Sequence, residues 1–360
     1  MRGAGEGSPI MKCSSKGGSL AKGTKSCVRG CNRSQIVNQI PKDKLCVVHF
    51  PHSGDECPIR TIRRSSATAV KTSDNSYDVY WNCSEKHDHY RKLVRIRKGA
   101  YIDRNRKYHE IKGEELCVWT EWESITSANK ALPSSNSFDA KFIHQPKYPV
   151  SVAIAAKNPG KFYGNGNPEN AQNTDPCIFG DTFKYAICRQ GYDSWLRTLA
   201  DGSLIMFWSH KGDFFCLDTV FVVEKNPIDY ITGSTSKIKC SQEYRNLTLD
   251  RLGSGSEATF YRGISYDNRN PQRIYSFAPA RIFCNSATYT RRCEFDAKDI
   301  EQLNAVIGGK EPFIKINGHF RSKSVCASSD RIKHVWDKLT DIVTGKGFVL
   351  GVHFDWPKIK

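Results

Sequence analysis

The chain has no long apolar segment. Its longest apolar runs, Leu204–Trp208 and Val220–Val223, fall far short of the ~20 residues that a helix needs to cross a bilayer. We therefore expect no transmembrane helix and no membrane partner. Because the first residues also lack the apolar run of a secretory signal, the sequence predicts an intracellular, cytoplasmic protein.

Regularly spaced cysteine pairs are also missing. The 14 cysteines are scattered, a pattern more typical of free thiols in a reducing compartment than of a small disulfide scaffold. Cys13, Cys27, Cys31 and Cys46 could supply four thiolates to zinc, but the single C-x3-C spacing favours free cysteines. We therefore predict no metal site, and the sequence identifies no cofactor.

Acidic residues are few relative to basic ones. The 360 residues include 54 Lys or Arg and 37 Asp or Glu, so the formal net charge is +17. A net charge of +12 falls within the first 110 residues. Such an excess favours a polyanionic partner, and we predict nucleic acid or a nucleotide.

The length predicts one large or two moderate domains. Residues 1–40 are rich in Gly, Ser and Lys with few large apolar groups, which predicts a basic, disordered tail. Residues 41–360 then form one domain. A sub-boundary is expected near 130–172, where Asn, Ser, Pro and Gly dominate and the stretch after Leu132 is interpreted as a loop or linker.

Strand patterns recur along this domain, whereas helical patterns are few. Leu45–Phe50 is interpreted as a core strand that ends at Pro51, and Tyr77–Trp81 and Leu93–Ile96 as a hairpin. A second hairpin is expected from Leu204–Trp208 and Phe214–Val223. Val335, Trp336, Leu339 and Val343 share one face of a predicted helix that stops at Gly345. The fold class is therefore α+β, strand-rich, with a curved sheet or barrel and a few peripheral helices.

A basic cluster runs from Lys86 to Lys107, with nine Lys or Arg and two acids. His87 and His89 would share one face of a strand, where they could act as catalytic groups, hold a metal or contact phosphate. A solvated basic hairpin without function is the alternative. Guanidinium groups suit phosphate oxygens. The predicted nucleic-acid-binding residues are Arg91, Lys92, Arg95, Arg97 and Lys98.

Tryptophans follow this cluster in the segment Trp119–Glu123. They could form a stacking wall for a base, with a carboxylate that accepts hydrogen bonds from the base edge, or they could lie in the core. The predicted base pocket consists of Trp119, Trp122, Trp208, Tyr261 and Arg262.

The segment Asn173–Gln190 is polar within an apolar neighbourhood. Asp175 and Asp181 are candidate catalytic carboxylates that would act with the two histidines, although Asp175 before Pro176 also suits a turn. Cys188 is a candidate nucleophile. The sequence shows no histidine paired with it, and burial is the more common fate of such a cysteine.

Two further motifs are weak. Phe260–Gly263 and Glu294 are similar to the Arg, Ser and Glu order of ADP-ribosyltransferases, but the Ser-Thr-Ser element is absent. Gly253–Ala258 matches G-x-G-x-x-A, yet it leads into a predicted strand, whereas a dinucleotide site needs a helix N-terminus.

Taken together, several segments resemble, in this order, a family of bacterial nucleotide-modification-associated domain proteins. They are His49–Glu56, His87–Lys92, Trp119–Glu123, Asn173–Gln190, Gly202–Ser209, Phe214–Val223, Phe260–Gly263, Ser276–Arg281 and Val349–Phe354. The resemblance covers about residues 44 to 356 and implies action alongside DNA base modification. Gly202–Trp208 and the strand after it also resemble PUA-like modules (ASCH, EVE, YTH), which implies a barrel that holds a flipped base in an aromatic cage.

Three functions remain open from the sequence. The first is a nucleic-acid-associated protein, linked to base modification or to defence, with phosphates on the basic hairpin and a base in the aromatic pocket. The second is an enzyme acting on nucleotides or nucleic acid, either metal-assisted or ADP-ribosyltransferase-like. The third is a non-catalytic structural adaptor.

Overall fold

The computed structural model describes most of the chain after the N-terminal segment. The described residues are 44–56, 69–73, 76–79, 90–122, 126–134, 139–146, 175–211, 214–251, 255–284, 286–309, 311–315 and 322–357. They belong to one compact unit that begins at Gln39. The predicted tail and its boundary at residue 40 lie outside the described residues.

The described residues form eighteen strands and three α-helices. The strands are β1 (Cys46–Ser53), β2 (Ala69–Ser73), β3 (Ser76–Val79), β4 (Lys92–Ile96), β5 (Gly99–Ile102), β6 (Tyr108–Glu110), β7 (Leu116–Thr120), β8 (Thr126–Lys130), β9 (Phe142–Pro146), β10 (Lys184–Tyr185), β11 (Leu204–Lys211), β12 (Phe214–Val222), β13 (Ile228–Ile231), β14 (Glu257–Arg262), β15 (Ala278–Ile282), β16 (Glu294–Phe295), β17 (Lys323–Cys326) and β18 (Val349–Phe354). The helices are α1 (Gln242–Leu247), α2 (Ala297–Ile307) and α3 (Ser329–Gly345).

The strands form three sheets. Their orders are β16-β12-β11-β1-β17, β10-β14-β13, and β2-β3-β8-β9-β4-β7-β15-β18-β5-β6. The predicted α+β class is therefore confirmed. None of these sheets closes into a barrel within the described residues, so the core is built from open, packed sheets.

The five-stranded sheet contains the predicted hairpin of β11 and β12, with a register shift at Phe207 and Trp208. β1 runs parallel to β11 and continues through Pro51 to Ser53, further than predicted. β17 pairs with β1 only as far as His49. β17 does not pair with Pro51, so that side of the strand loses no ladder hydrogen bond through the N–H group that proline lacks. Strands tolerate proline at such unpaired positions.

The predicted hairpin of Tyr77–Trp81 with Leu93–Ile96 is wrong. β3 pairs with β2 and β8, whereas β4 pairs antiparallel with β7 and parallel with β9. β9 itself falls within the stretch that was predicted to be a loop. Each strand supplies the alternation expected of a hairpin, but partner choice depends on long-range packing that the local pattern does not contain.

Two large hydrophobic clusters lie on opposite faces of β1. Cys46, Val48 and Phe50 belong to one cluster, which also includes residues on both sides of the predicted sub-boundary, such as Val118 and Tyr261. The other face joins the cluster under α2 and α3.

Helix α3 buries Val335, Trp336, Leu339 and Val343, as the sequence predicts. It begins after the N-cap Ser328, whose hydroxyl accepts the Arg331 N–H. Within the described residues, no helix is both long enough and apolar enough to span a membrane.

Candidate active site

Three side chains from separate parts of the chain meet at the end of β1. The Sγ atom of Cys188 lies 3.1 Å from Nε2 of His52, and Nδ1 of His52 lies 3.3 Å from Oε2 of Glu121. Cys188 is half-buried, while the side chains of His52 and Glu121 are 6% and 2% exposed. A thiol, an imidazole and a carboxylate in this order form the arrangement of a nucleophile, a base and a group that orients the base.

The end of β1 is held where His52 can reach both partners. The Gly54 N–H donates to the His210 carbonyl at 2.8 Å, and the Arg91 N–H donates to the Asp55 carbonyl at 2.7 Å. Arg91 directly precedes β4, whose first residue pairs with the last residue of β7. Because Glu121 follows β7, this pairing brings Arg91 and Glu121 beside the end of β1.

The triad carboxylate belongs to a buried ionic cluster. Arg91 places Nη1 2.9 Å from Oε2 of Glu121 and Nε 3.1 Å from Oδ2 of Asp218, and Asp218 also accepts the hydroxyl of Ser209. Burial opposes the charge of Arg91, but the two carboxylates outweigh it and raise the pKa of Arg91. Arg91 therefore stays positive and fixes Glu121 behind the imidazole.

This positive charge also reaches the thiol. Arg91 interacts electrostatically with Cys188 as well as with its two carboxylate partners. A cation beside a cysteine favours the thiolate, which is the nucleophilic form. The buried Arg91 thus lies within electrostatic range of both the carboxylate beside His52 and the Cys188 thiol.

The segment that carries Cys188 is fastened on several sides. The Asp175 carboxylate accepts the N–H groups of Ala186, Ile187 and Cys188 at 2.8, 2.8 and 2.7 Å. The hydroxyl of Tyr185 donates to the Cys188 carbonyl at 2.7 Å. The thiol therefore sits on a turn that is held from its backbone.

The residue after the thiol is also unusual. Arg189 has a φ of 61°, in the left-handed region that a non-glycine side chain enters at a cost of roughly 1–3 kcal/mol. The next residue, Gln190, is fully buried and exchanges two hydrogen bonds with the backbone of Thr259 on β14. Such strain persists where the surroundings over-determine a turn, and it is common beside catalytic groups.

Asp175 is itself 1% exposed. Burial raises the pKa of its carboxyl to about 7, against the three N–H groups that favour the charged form. Asp175 is thus a structural acceptor at the candidate site, and its side chain points at backbone groups.

A second buried arginine continues the polar cluster. Arg292 stacks 4.0 Å over the Trp119 ring and is 3% exposed. Burial raises the pKa of Asp218, and the charges of Arg91 and Arg292 oppose that rise. Arg292 therefore helps to balance the buried carboxylates.

The predicted phosphate-binding residues divide into two groups. Arg91 and Lys92 are each 2% exposed, so the structure corrects their assignment to a solvent-facing surface. Arg95 and Arg97 both pair with Glu115, and Lys98 is exposed. Among the predicted phosphate-binding residues, which the structure describes in full, Arg97 and Lys98 are therefore the exposed ones.

The predicted base-pocket rings are not brought together. Trp122 and Tyr261 lie in one hydrophobic cluster, Trp208 in a second and Trp119 in a third, and all four side chains are buried. Arg262 is partly exposed and pairs with Asp181 and Glu224. The described rings are core residues and do not line one shared pocket.

Two of the four predicted catalytic residues, Asp175 and Asp181, lie in the part of the chain that the structure describes. His87 and His89 lie outside the described residues. Asp181 is exposed and pairs with Lys184 and Arg262. Partial burial acts to raise its pKa, but the two cations outweigh this effect and lower the pKa. Asp175 lies next to the Cys188 turn, but in a supporting position.

Sequence reasoning missed the pairing of Cys188 with His52 and the role of Glu121. One local signal existed, because His52 lies near the end of β1 and Glu121 directly follows β7, and both strands are largely apolar. The partners of Cys188 are 136 and 67 positions away, and no local pattern spans such distances.

The described residues were also compared with the requirements of a metal site and of a disulfide. Within those ranges, no group of three or more His, Cys, Asp or Glu side chains is arranged to hold a metal. None of the nine described cysteines forms a disulfide.

We found no match to the chain among protein-family models, curated proteins or solved structures. The resemblance to nucleotide-modification-associated domain proteins therefore stays a prediction. Any functional conclusion has to come from the geometry of the site.

Proposed function

We propose that this protein is a thiol-dependent enzyme, a hydrolase or transferase, that attacks an electrophilic carbon of its substrate with Cys188. The observation that carries the proposal is the continuous contact from Sγ of Cys188 through both ring nitrogens of His52 to Glu121. A base within about 2.6–3.2 Å of the nucleophile, oriented by a third group, is the geometric signature of covalent catalysis.

The reaction follows from the position of each group. His52 takes the proton of the Cys188 thiol as the Sγ–C bond forms, and Glu121 stabilises the resulting imidazolium. The leaving group then departs with the proton from His52, which leaves a covalent thioester or thioether-type intermediate. Water, or a second substrate, subsequently releases the product and restores the thiol.

The buried arginine supports this role. A carboxylate that is only 2% exposed is costly to bury unless it is paired, and Arg91 offsets that cost at Oε2, the same oxygen that lies beside His52. Cys188 is half-buried, so the residue as a whole is not closed off from solvent.

Alkylation kinetics test the proposal without knowledge of the substrate. We expect iodoacetamide at pH 6.5 to modify Cys188 about tenfold faster than the exposed Cys326. An ordinary thiol is only about 1% ionised at this pH, whereas the proposed base raises the thiolate fraction of Cys188. The rate does not rise in full proportion, because a thiolate of lower pKa is a weaker nucleophile. Peptide mass spectrometry would follow both sites in one sample. His52→Asn is expected to bring Cys188 down to the rate of Cys326.

Turnover provides the second measurement. With p-nitrophenyl acetate, the wild-type chain is expected to show a burst of p-nitrophenol, and Cys188→Ser is expected to lose it. Equal alkylation rates for Cys188 and Cys326, unaffected by His52→Asn, would show that the three side chains are not a catalytic unit.

Nucleic-acid association is a second candidate, favoured by the net charge of +17. In the described part of the basic cluster, Arg97 and Lys98 remain at the surface, followed by the exposed Arg104 and Lys107 of the β5–β6 turn. Binding to double-stranded DNA is expected to weaken steeply between 50 and 200 mM salt, because each neutralised phosphate releases counterions. A filter-binding titration at low salt that shows no binding would exclude this function.

A further inference from the structure

The turn that carries Cys188 is organised around one buried carboxylate. Asp175 accepts three consecutive backbone N–H groups, from Ala186, Ile187 and Cys188, all within 2.8 Å. Oδ2 alone receives two of them. Three successive N–H groups that converge on one carboxylate fix the path of the backbone more tightly than a single turn hydrogen bond does.

We propose that Asp175 is a positioning residue that sets the Cys188 sulfur against His52, and that its ionised form is required for this alignment. The proposal rests on the proposed function of Cys188. An ionised carboxylate offers only acceptors, whereas a protonated carboxyl has one oxygen that donates. Protonation of Asp175 therefore leaves at least one of the three N–H groups without its acceptor, and the turn loosens.

The surroundings of Asp175 support a change in ionisation close to neutral pH. Burial raises its pKa to about 7. The titratable groups that face it come from its own segment and from other elements. They are Cys177, Tyr185 and Cys188 in the segment, Glu121 after β7, Tyr230 on β13 and Tyr244 on α1.

One consequence concerns the oxyanion. The N–H of Cys188 is already engaged by Asp175, so it does not donate to a negatively charged oxygen that develops on the substrate. In many sites with a nucleophilic cysteine or serine, the N–H of the nucleophile has that task. Here the backbone of the nucleophile is used for alignment instead.

The test compares Asp175→Asn with the wild-type chain. Asparagine keeps the shape but replaces one acceptor oxygen with a donor, so the variant mimics the protonated state at every pH. We expect the ratio of wild-type to variant alkylation rates at Cys188 to rise from near 1 below pH 6 to about tenfold above pH 8, since small misplacements of a reacting group are costly. In this reaction the Sγ–C bond forms, the C–I bond breaks, iodide leaves and the thiol proton passes to His52.

The matched control is Asp193→Asn. Asp193 lies in the same turn and pairs through its side chain with Arg189, away from the three N–H groups. This variant is expected to follow the wild-type profile. If Asp175→Asn does not fold, hydrogen exchange of the wild-type amides of residues 186–188 gives the alternative measurement, and their protection factors are expected to rise through about pH 7.

The outcomes separate the two proposals. A rate ratio for Asp175→Asn that is constant with pH, or protection factors that do not change near pH 7, would overturn the positioning role while leaving a reactive, His52-dependent Cys188 intact. If wild-type Cys188 reacts no faster than Cys326 and is indifferent to His52→Asn, the enzyme proposal itself fails.

Discussion

The Sγ atom of Cys188 and Nε2 of His52 lie 3.1 Å apart, although the two residues are separated by 136 positions in the chain. The contact joins the end of β1 to the segment before the short 3-10 helix at Ser194–Arg197. Around it, the buried Arg91 and its two carboxylates fix the base, while Asp175 fixes the turn of the nucleophile.

Removal of the buried arginine is expected to destabilise the fold. Arg91→Met leaves Glu121 and Asp218 buried without their shared cation, so we expect a loss of about 3–5 kcal/mol in the free energy of unfolding, measured by urea titration. The control is Arg97→Met, because Arg97 is 49% exposed in its pair with Glu115 and should cost only about 0–1 kcal/mol. Equal losses for the two variants would mean that the buried cluster adds no special stability.

Loss of the charge behind the base is expected to reduce reactivity. Glu121→Gln keeps the shape of the side chain but removes the anion beside His52, so the imidazolium–thiolate state loses its support. We expect the alkylation rate of Cys188 to reach half of its maximum at a higher pH than in the wild-type chain. The profile of Cys326 in the same sample serves as the internal control. An unchanged Cys188 profile would show that Glu121 pairs with Arg91 but does not support the base His52.

The pH dependence of stability should report Asp175. Because burial raises its folded pKa to about 7, from about 3.9 in an unfolded chain, the folded protein binds more protons between these values. The contribution of Asp175 to stability is therefore fully present below about pH 4 and is lost as the pH rises to about 7. The slope is at most about 1.4 kcal/mol per pH unit.

Thermal melts at several pH values check this expectation. The difference in melting temperature between the wild-type chain and Asp175→Asn should change steadily between pH 4 and 7 and stay constant above pH 7. Asp193→Asn should remain parallel to the wild type. Parallel curves for Asp175→Asn as well would show that Asp175 does not titrate in that window.

A glycine at the end of β1 controls the position of the base. A Cβ atom at Gly54 would lie 2.6 Å from the carbonyl oxygen of His210, so Gly54→Ala must push β1 away from β11 next to His52. We expect a loss of about 1–3 kcal/mol in the free energy of unfolding, as for other forced overpacking, together with slower alkylation of Cys188. Gly191→Ala is the control, because a Cβ atom there meets nothing within 4 Å. Wild-type alkylation in Gly54→Ala would show that the end of β1 tolerates the shift.

Elements with strong local patterns could be predicted from the sequence. The apolar stripe and the terminal glycine of α3 specify a helix, and the apolar runs on both sides of Gly212 specify the β11–β12 hairpin. Helix α2 begins with a capping box of Asp296 and Asp299, which is a local signal for the start of a helix. The pairing of β4 with β7 and β9 could not be predicted, since it depends on which strands bury their faces together.

The candidate site could likewise be predicted only in part from the sequence. The sequence indicated Asp175 and Cys188 as residues of interest, and it predicted a strand that ends at Pro51, one residue before His52. It also suggested that Arg91 would bind phosphate, whereas the structure buries its guanidinium between two carboxylates. Charge alone does not specify whether an arginine faces solvent or a buried anion, because that choice depends on where the opposing carboxylates arrive.

By itself, the sequence determined the α+β class, the positive net charge and several of the core strands, among them β11 and β12, because composition and local periodicity act over a few residues. Only the tertiary structure brought the proposed catalytic groups together. Cys188, His52 and Glu121 belong to segments that meet through sheet pairing and buried ion pairs, and the free energy that selects those contacts is a property of the whole packed core.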